Sequence, residues 1–306
     1  MGTVGANAES VPAWWNYASP QAAALAGIQW EHLRASPFAG AISAELFDSA
    51  GLGIPDLDCL KGAREILLSS PPFLAAETGE FPAEAVAEQA ARQGFRRAVY
   101  KGVALWIPSK KSALAIAQIG DNLVLIGSRK TLEPAIERSL DPAGVQYSPL
   151  LAKAARYAHT ADLWVVSDRL PDPLANVFVP IEADAQNFEG AVSAENGLKL
   201  DASMEAASEN AAARIAEELR REKSSLPAIA QGLAIAADGT TISLHLSVPA
   251  EQLTAGLRES APAPETHPAP PAKPAPPERQ VIRILGLDSG PEEIPFPQAP
   301  ADFRLR

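Results

Sequence analysis

One unit is written twice in this chain. Leu114-Ala115-Ile116-Ala117 leads to Gly120, to the run Leu123 to Ile126, and to a helix-like stretch from Thr131 to Leu140. Leu233-Ala234-Ile235-Ala236 leads to Gly239, to the alternating run Ile242 to Val248, and to the stretch Pro249 to Leu257. The opening leucines and the turn glycines are both 119 positions apart. Each unit spells a β-hairpin feeding a short helix, and a helical segment also precedes each hairpin. Hairpin-joined strands are antiparallel, because a parallel pair needs a crossover of a dozen or more residues. The expected fold class is therefore α+β: two similar halves, 19–147 and 148–258, each an antiparallel sheet with helices on one face.

Local signals fill in the halves. Ala22 to Trp30 reads as a strand. Ser36-Pro37 has the cap-and-proline form of a helix start, predicting a helix over 37–47. Arg64 to Ser70 is a strand ended by Pro71-Pro72, with Phe73 to Thr78 continuing it after a kink. Phe81-Pro82 opens a helix that stops at Gly94. Arg97 to Ile107 alternates as one strand. Ser148-Pro149 starts a helix running to His159, and Leu163 to Ser167 is a strand. Phe188 to Ala194 and Leu198 to Ala206 pair through Glu195-Asn196-Gly197, since Asn-Gly is the strongest short hairpin signal. Ser208 caps a helix to Lys223 whose Ala212, Ile215, Ala216 and Leu219 share one face.

The ends read differently. In residues 1–18, Ala6-Asn7-Ala8 is the small-x-small pattern that precedes a signal-peptidase cut, without the charged and apolar regions before it. The expectation is a periplasmic or secreted protein, with a cytoplasmic one as the alternative. Trp14, Trp15 and Tyr17 are expected to pack over the core as a lid. Residues 259–278 form a Pro/Ala-rich linker, extended as polyproline II. Beyond it, in 279–306, Val281, Ile282, Ile284, Leu285 and Leu287 make a strand-like tail. A lone strand leaves its ladder groups unpaired, so this one is expected to join an edge of its own globular body or to dock on a partner. Docking back is the default, with Pro291 to Phe296 as an extended strap.

Charge narrows the partners. The net charge of −11 repels phosphate backbones, so nucleic acid is not expected. The apolar runs are strand-length, so no transmembrane segment is expected. The remaining partner is an unknown protein, or the chain itself, through the tail.

Chemistry is sparse. The single cysteine, Cys59, lies beside Asp56 and Asp58, which disfavour a thiolate. Of the histidines, His32 reads as surface, His159 as a cation suited to a helix C-terminus, and His267 as solvated linker. His245 alternates with Leu244 and Leu246 and is flanked by Ser243 and Ser247. These three are the weak catalytic candidates, but a period-2 pattern of this kind is also that of a solvent-facing strand surface. The carboxylate pairs Asp56/Asp58, Asp168/Asp172 and Glu182/Asp184 lack the glycine and terminal glutamate of a calcium loop. Gly51-Leu52-Gly53 lacks the third glycine of a dinucleotide site. Gly127-Ser128-Arg129-Lys130 could cradle an anion at a helix start, but it lacks the first glycine of a phosphate loop. No metal site and no cofactor is expected.

Leu25-Ala26-Gly27-Ile28-Gln29-Trp30, followed by Arg34-Ala35-Ser36-Pro37-Phe38, resembles the start of uncharacterised exported proteins of soil bacteria. Ile119-Gly120-Asp121-Asn122-Leu123-Val124-Leu125-Ile126-Gly127-Ser128 resembles the hairpin of a broader bacterial family of unknown function. The resemblance runs from about Ser19 to Arg258. It implies an envelope location and a tandem α+β fold, and it carries over no site residues. The expected function is a non-enzymatic binding or interaction protein of the bacterial cell envelope. The alternative is a hydrolase using His245 with a nearby serine.

Overall fold

The structure, a computed structural model, describes residues 12–36, 62–109, 114–140, 148–169, 185–226 and 228–253, and the backbone of 281–283 and 293–295. The chain divides into two compact units, Met1–Glu259 and Ser260–Arg306. The first holds strands β1 (Ala24–Ile28), β2 (Ala63–Ser70), β3 (Leu74–Gly79), β4 (Arg96–Tyr100), β5 (Val103–Ile107), β6 (Ala115–Ile119), β7 (Leu123–Gly127), β8 (Leu163–Arg169), β9 (Ala185–Ser193), β10 (Gly197–Ala206), β11 (Ala234–Asp238) and β12 (Thr241–Pro249). Its helices are α1 (Trp30–Ala35), α2 (Ala83–Arg92), α3 (Arg129–Leu140), α4 (Leu150–Ala154) and α5 (Glu209–Glu222), with a 3-10 turn at Ala13–Tyr17.

The expectation of two sheets is corrected: all these strands form one twelve-stranded sheet, ordered β11-β12-β10-β9-β8-β1-β2-β3-β7-β6-β5-β4. The joint is the antiparallel pair β1–β8, with Ala24 opposite Ser167 and Ile28 opposite Leu163. Every pair in the sheet is antiparallel, so the α+β class stands. On either side of the β1–β8 seam the strands follow one connection order: β1-β2-β3-β7-β6 on one side, β8-β9-β10-β12-β11 on the other. The first side adds the hairpin β4–β5 at its outer edge.

The spacing between the two hairpins is not constant. Ala115 and Ala234, which begin β6 and β11, are 119 apart. Leu123 and Thr241, which begin β7 and β12, are 118 apart, because the first hairpin turns through three residues and the second through two. The leading Leu114 and Leu233 are both half-buried against the same apolar cluster.

Helices lie on both faces of the sheet, which corrects the one-face expectation. On one face Leu33 of α1 and Val86 and Ala90 of α2 pack with Ile28, Ile66, Ala75, Val124 and Ile126. On the other, Leu132 and Ile136 of α3 and Leu150 and Leu151 of α4 pack with Leu25, Leu67, Leu74 and Leu125. The residues Leu123, Val124, Leu125 and Ile126 are an unbroken apolar run, the pattern of a strand buried on both sides. Beyond the seam, Ile215, Ala216 and Leu219 of α5 cover Phe188, Met204 and Ile242, and Ser208 caps α5 by accepting from the Ala211 N–H at 3.2 Å. The opposite face of β12 presents Thr241, Ser243, His245 and Ser247 to solvent.

Two local features differ from the sequence reading. Pro71-Pro72 makes a hairpin, not a kink, so Leu74–Gly79 returns alongside β2. The run 97–107 breaks into β4 and β5 at Lys101-Gly102, where both residues take positive φ. The lid expectation agrees with the structure: Trp15 and Tyr17 are buried, and Trp15 packs on Trp164 with ring centroids 5.1 Å apart. Arg138 of α3 ties this segment down by donating to the carbonyls of Tyr17 and Ala18 at 2.8 and 3.2 Å.

The outer strands carry the protections open sheet edges need. Arg96 and Arg97 are exposed on β4. On β11, Arg220 reaches from α5 to donate to the Ile235 carbonyl at 3.2 Å.

In the second unit, β13 (Val281–Arg283) pairs antiparallel with β14 (Glu293–Pro295) in a separate two-stranded sheet, with Ile282 opposite Ile294. The tail strand thus finds a partner within its own segment, and 293–295 is a strand, not a strap. Ile284, Leu285 and Leu287 lie outside the described residues, as do Cys59, Asp56, Asp58, Asp172, Glu182, Asp184, His267, the stretch 37–47 and the linker 259–278.

Candidate functional site

The two ends of the β1–β8 seam differ. At one of them, hydroxyls tie neighbouring segments together. Ser69 Oγ accepts from the Ser19 N–H at 3.3 Å, and Ser167 Oγ donates to the Ala23 carbonyl at 3.0 Å. The Asp168 N–H donates to the same carbonyl at 2.9 Å, which gives Asp168 a backbone role here.

The other end opens into a cleft of about 710 Å³. Gln29, His32 and Glu65 line it from one side of the seam, and His159, Asp162 and Glu195 from the other. Its apolar patches are small: Ala35, Ala158, Ala161 and Ala194. Its size falls in the range of small-molecule sites, which gather a few convergent polar groups in a concave surface.

The backbone fixes much of this lining. Gln29 follows β1. Its N–H donates to the Asp162 carbonyl at 2.7 Å, and its Nε2 donates to the Ala158 carbonyl at 2.9 Å. Asp162 precedes β8 and is held by two contacts to β9 and just beyond. Its N–H donates to the Val192 carbonyl at 2.9 Å, and its Oδ2 accepts the Ala194 N–H at 2.7 Å. The second carboxylate oxygen, Oδ1, faces His32 Nδ1 at 3.6 Å. The Asp162 side chain is 13% exposed and that of His32 73%, so the carboxylate is the fixed member. Glu65, on β2, is half-buried. Burial raises its carboxyl above the ordinary range, the imidazoles of His159 and His32 oppose that, and Glu31 adds to it.

The sequence reading placed His32 on the surface and His159 at a helix end. The structure brings both to this cleft, from positions 127 residues apart. Glu65, Asp162 and Gln29 were missed. Each is an ordinary polar residue in or beside a strand, and the non-local β1–β2 and β1–β8 pairings bring them together.

The second candidate lies on the open face of β9, β10 and β12. His245 is opposite Asp201 across the β10–β12 pair, and two residues along, on the same face, Ser243 is opposite Ser203. His245 Nδ1 lies 2.6 Å from Asp201 Oδ1. The side chains are 58% and 68% exposed. A shallow depression of about 230 Å³ also takes in Tyr157 and Glu189. Tyr157 Oη donates to Glu189 Oε2 at 2.9 Å, Arg156 pairs with the same carboxylate, and the Tyr157 hydroxyl is pushed up to about 12, by burial first and by the Glu189 hydrogen bond second. Among the described residues, the hydrogen bond of His245 is to Asp201 and none joins it to Ser243 or Ser247. A nucleophile needs its base within hydrogen-bond reach. His245→Ala should therefore change the unfolding free energy by no more than about 0.5 kcal/mol, as surface substitutions do. Urea unfolding of the two proteins side by side checks this.

The stretch 127–130 has a structural account. Ser128 Oγ accepts the Thr131 N–H at 3.2 Å and so caps α3, while Arg129 pairs with Glu133 at 2.6 Å. Among the described residues, no group of three or more His, Cys, Asp or Glu side chains could hold a metal ion. No described helix is long and apolar enough to cross a membrane.

No family model and no curated protein matches the chain. A solved structure does: "Structure of crystal form IV of TP0453", with a TM-score of 0.51 and 13% identity, covering 80% of this chain and 98% of that one. At that identity the likeness is one of fold alone.

Proposed function

We propose that the chain is a non-enzymatic binding protein of the bacterial cell envelope, and that the open end of the β1–β8 seam is where it takes its ligand. The observation that carries this is the cleft and the carboxylate held inside it. At one seam end Ser69 and Ser167 bond to the Ser19 N–H and the Ala23 carbonyl, and at the other lies a cleft of about 710 Å³ whose Asp162 carboxylate accepts the Ala194 N–H. The envelope assignment draws on Ala6-Asn7-Ala8 and on the resemblance to exported proteins. We read the matching strand orders on the two sides as copies of one unit, which makes the cleft a junction between copies.

Thermal denaturation of the full chain against a library of small charged metabolites tests the reading. At least one compound should raise Tm in a saturable way, and Ala35→Trp, which fills the cleft from an exposed position, should abolish the shift. Ester hydrolysis that His245→Ala removes would replace this reading with the hydrolase.

A second reading concerns the tail. A two-stranded sheet is marginal alone in water, and β13–β14 is such a sheet. We infer that the segment carrying Val281, Ile282, Ile284, Leu285 and Leu287 engages a protein partner or a second copy of the chain. Retention of a purified 279–306 peptide on the immobilised full chain would support the second copy.

A further inference from the structure

We infer that the ligand of the seam cleft is a small organic cation, an amine or quaternary ammonium compound, held between Glu65 and Asp162. The inference rests on the binding reading above. The two carboxylates come from opposite sides of the seam, Glu65 from β2 and Asp162 from the approach to β8, so a ligand between them touches both halves. Glu195 adds a third acidic group at the rim. Among the described residues that line the cleft there is no lysine or arginine, and the basic side chains there are the imidazoles of His32 and His159.

Geometry favours an organic cation over the alternatives. Asp162 has one oxygen committed to the Ala194 N–H and the other facing the cleft toward His32, so the side chain is already oriented and little ordering accompanies binding. A metal ion of the calcium type wants six or more oxygen ligands, which the described side chains do not gather. An anion would meet carboxylates, one of them fixed in place. The cleft is also far larger than one ion needs, and its alanines leave room for the carbon skeleton of an amine. Burial disfavours the ionised form of Glu65, and a cation seated beside it restores that form.

Titration calorimetry of the full chain with putrescine, choline and succinate at neutral pH tests this. Putrescine or choline should bind saturably with one site per chain, and succinate should not bind. Glu65→Gln and Asp162→Asn should each weaken cation binding at least about tenfold, equivalent to about 1.4 kcal/mol. Asn at 162 keeps an oxygen for the Ala194 N–H, so that variant should fold. Asp201→Asn, on the other candidate patch, should leave binding unchanged. Cation binding unaffected by both cleft substitutions would overturn the inference. So would saturable succinate binding that Ala35→Trp removes, although the binding reading would survive it. Failure of all three probes, with no stabilising compound in the wider library, would remove both.

Discussion

Between pH 5 and pH 8.5 the stability of this chain should fall by about 4 kcal/mol more than that of its Glu77→Gln variant. Glu77 lies on β3 between Ile66 of β2 and Val124 of β7, and it is 3% exposed. Burial is the one cause that pushes its carboxyl from 4.5 up to about 8. The sign follows from proton counting. Between these values the unfolded chain has released the proton and the folded chain still holds it, so each rise in pH favours unfolding. Below the unfolded value both states hold the proton and the group adds no pH dependence, and the full penalty is reached once pH passes the folded one. A loss of this size matters against a typical total of about 5–15 kcal/mol. Urea unfolding at a series of pH values, run on both proteins, checks it. Parallel curves would mean that Glu77 ionises in the folded chain as it does in the unfolded one.

The second large effect is at Gly27. Gly27 and Trp164 are cross-strand partners at the seam, and the indole lies where a Cβ on residue 27 would sit. Trp164 is fully buried and packs on Trp15. A valine at 27 must either push the ring out or displace β1 from β8. Overpacking of a tight core costs about 1–3 kcal/mol, and losing a buried Trp about 3–5. Gly27→Val should therefore lower Tm by roughly 10 °C, at about 2–4 °C per kcal/mol for a chain of this size, and should shift tryptophan emission to the red. Trp164→Leu should recover part of the loss in the double variant, because the two sites share one space. Additive effects of the two changes would place the damage elsewhere.

What the sequence revealed, and what it hid, divides along contact distance. The hairpin β9–β10 is legible at Asn196-Gly197, and α5 in its capping Ser208 and its apolar stripe, because both are local. The hairpin β4–β5 was readable in principle, since Lys101-Gly102 is a two-residue turn of positive φ, but alternation on either side disguised it as one long strand. The burial of both faces was written in the unbroken run Leu123 to Ile126. The joining of the strands into one sheet was not legible. It depends on Ala24–Ile28 meeting Leu163–Ser167, and neither strand carries a mark of the other. The same non-local pairing assembles the cleft. Asp201 escaped notice beside His245 because their strands are neighbours in space and 44 residues apart in sequence.

We place ligand entry at the open end of the β1–β8 seam. Backbone amide chemical-shift mapping of the full chain during a putrescine titration tests it most directly. Saturating shifts are expected at Gln29 and Glu65 on one side and at Asp162 and Ala194 on the other, moving together with one dissociation constant. Saturating shifts centred on Asp201, Ser203 and His245, with the seam amides still, would contradict it.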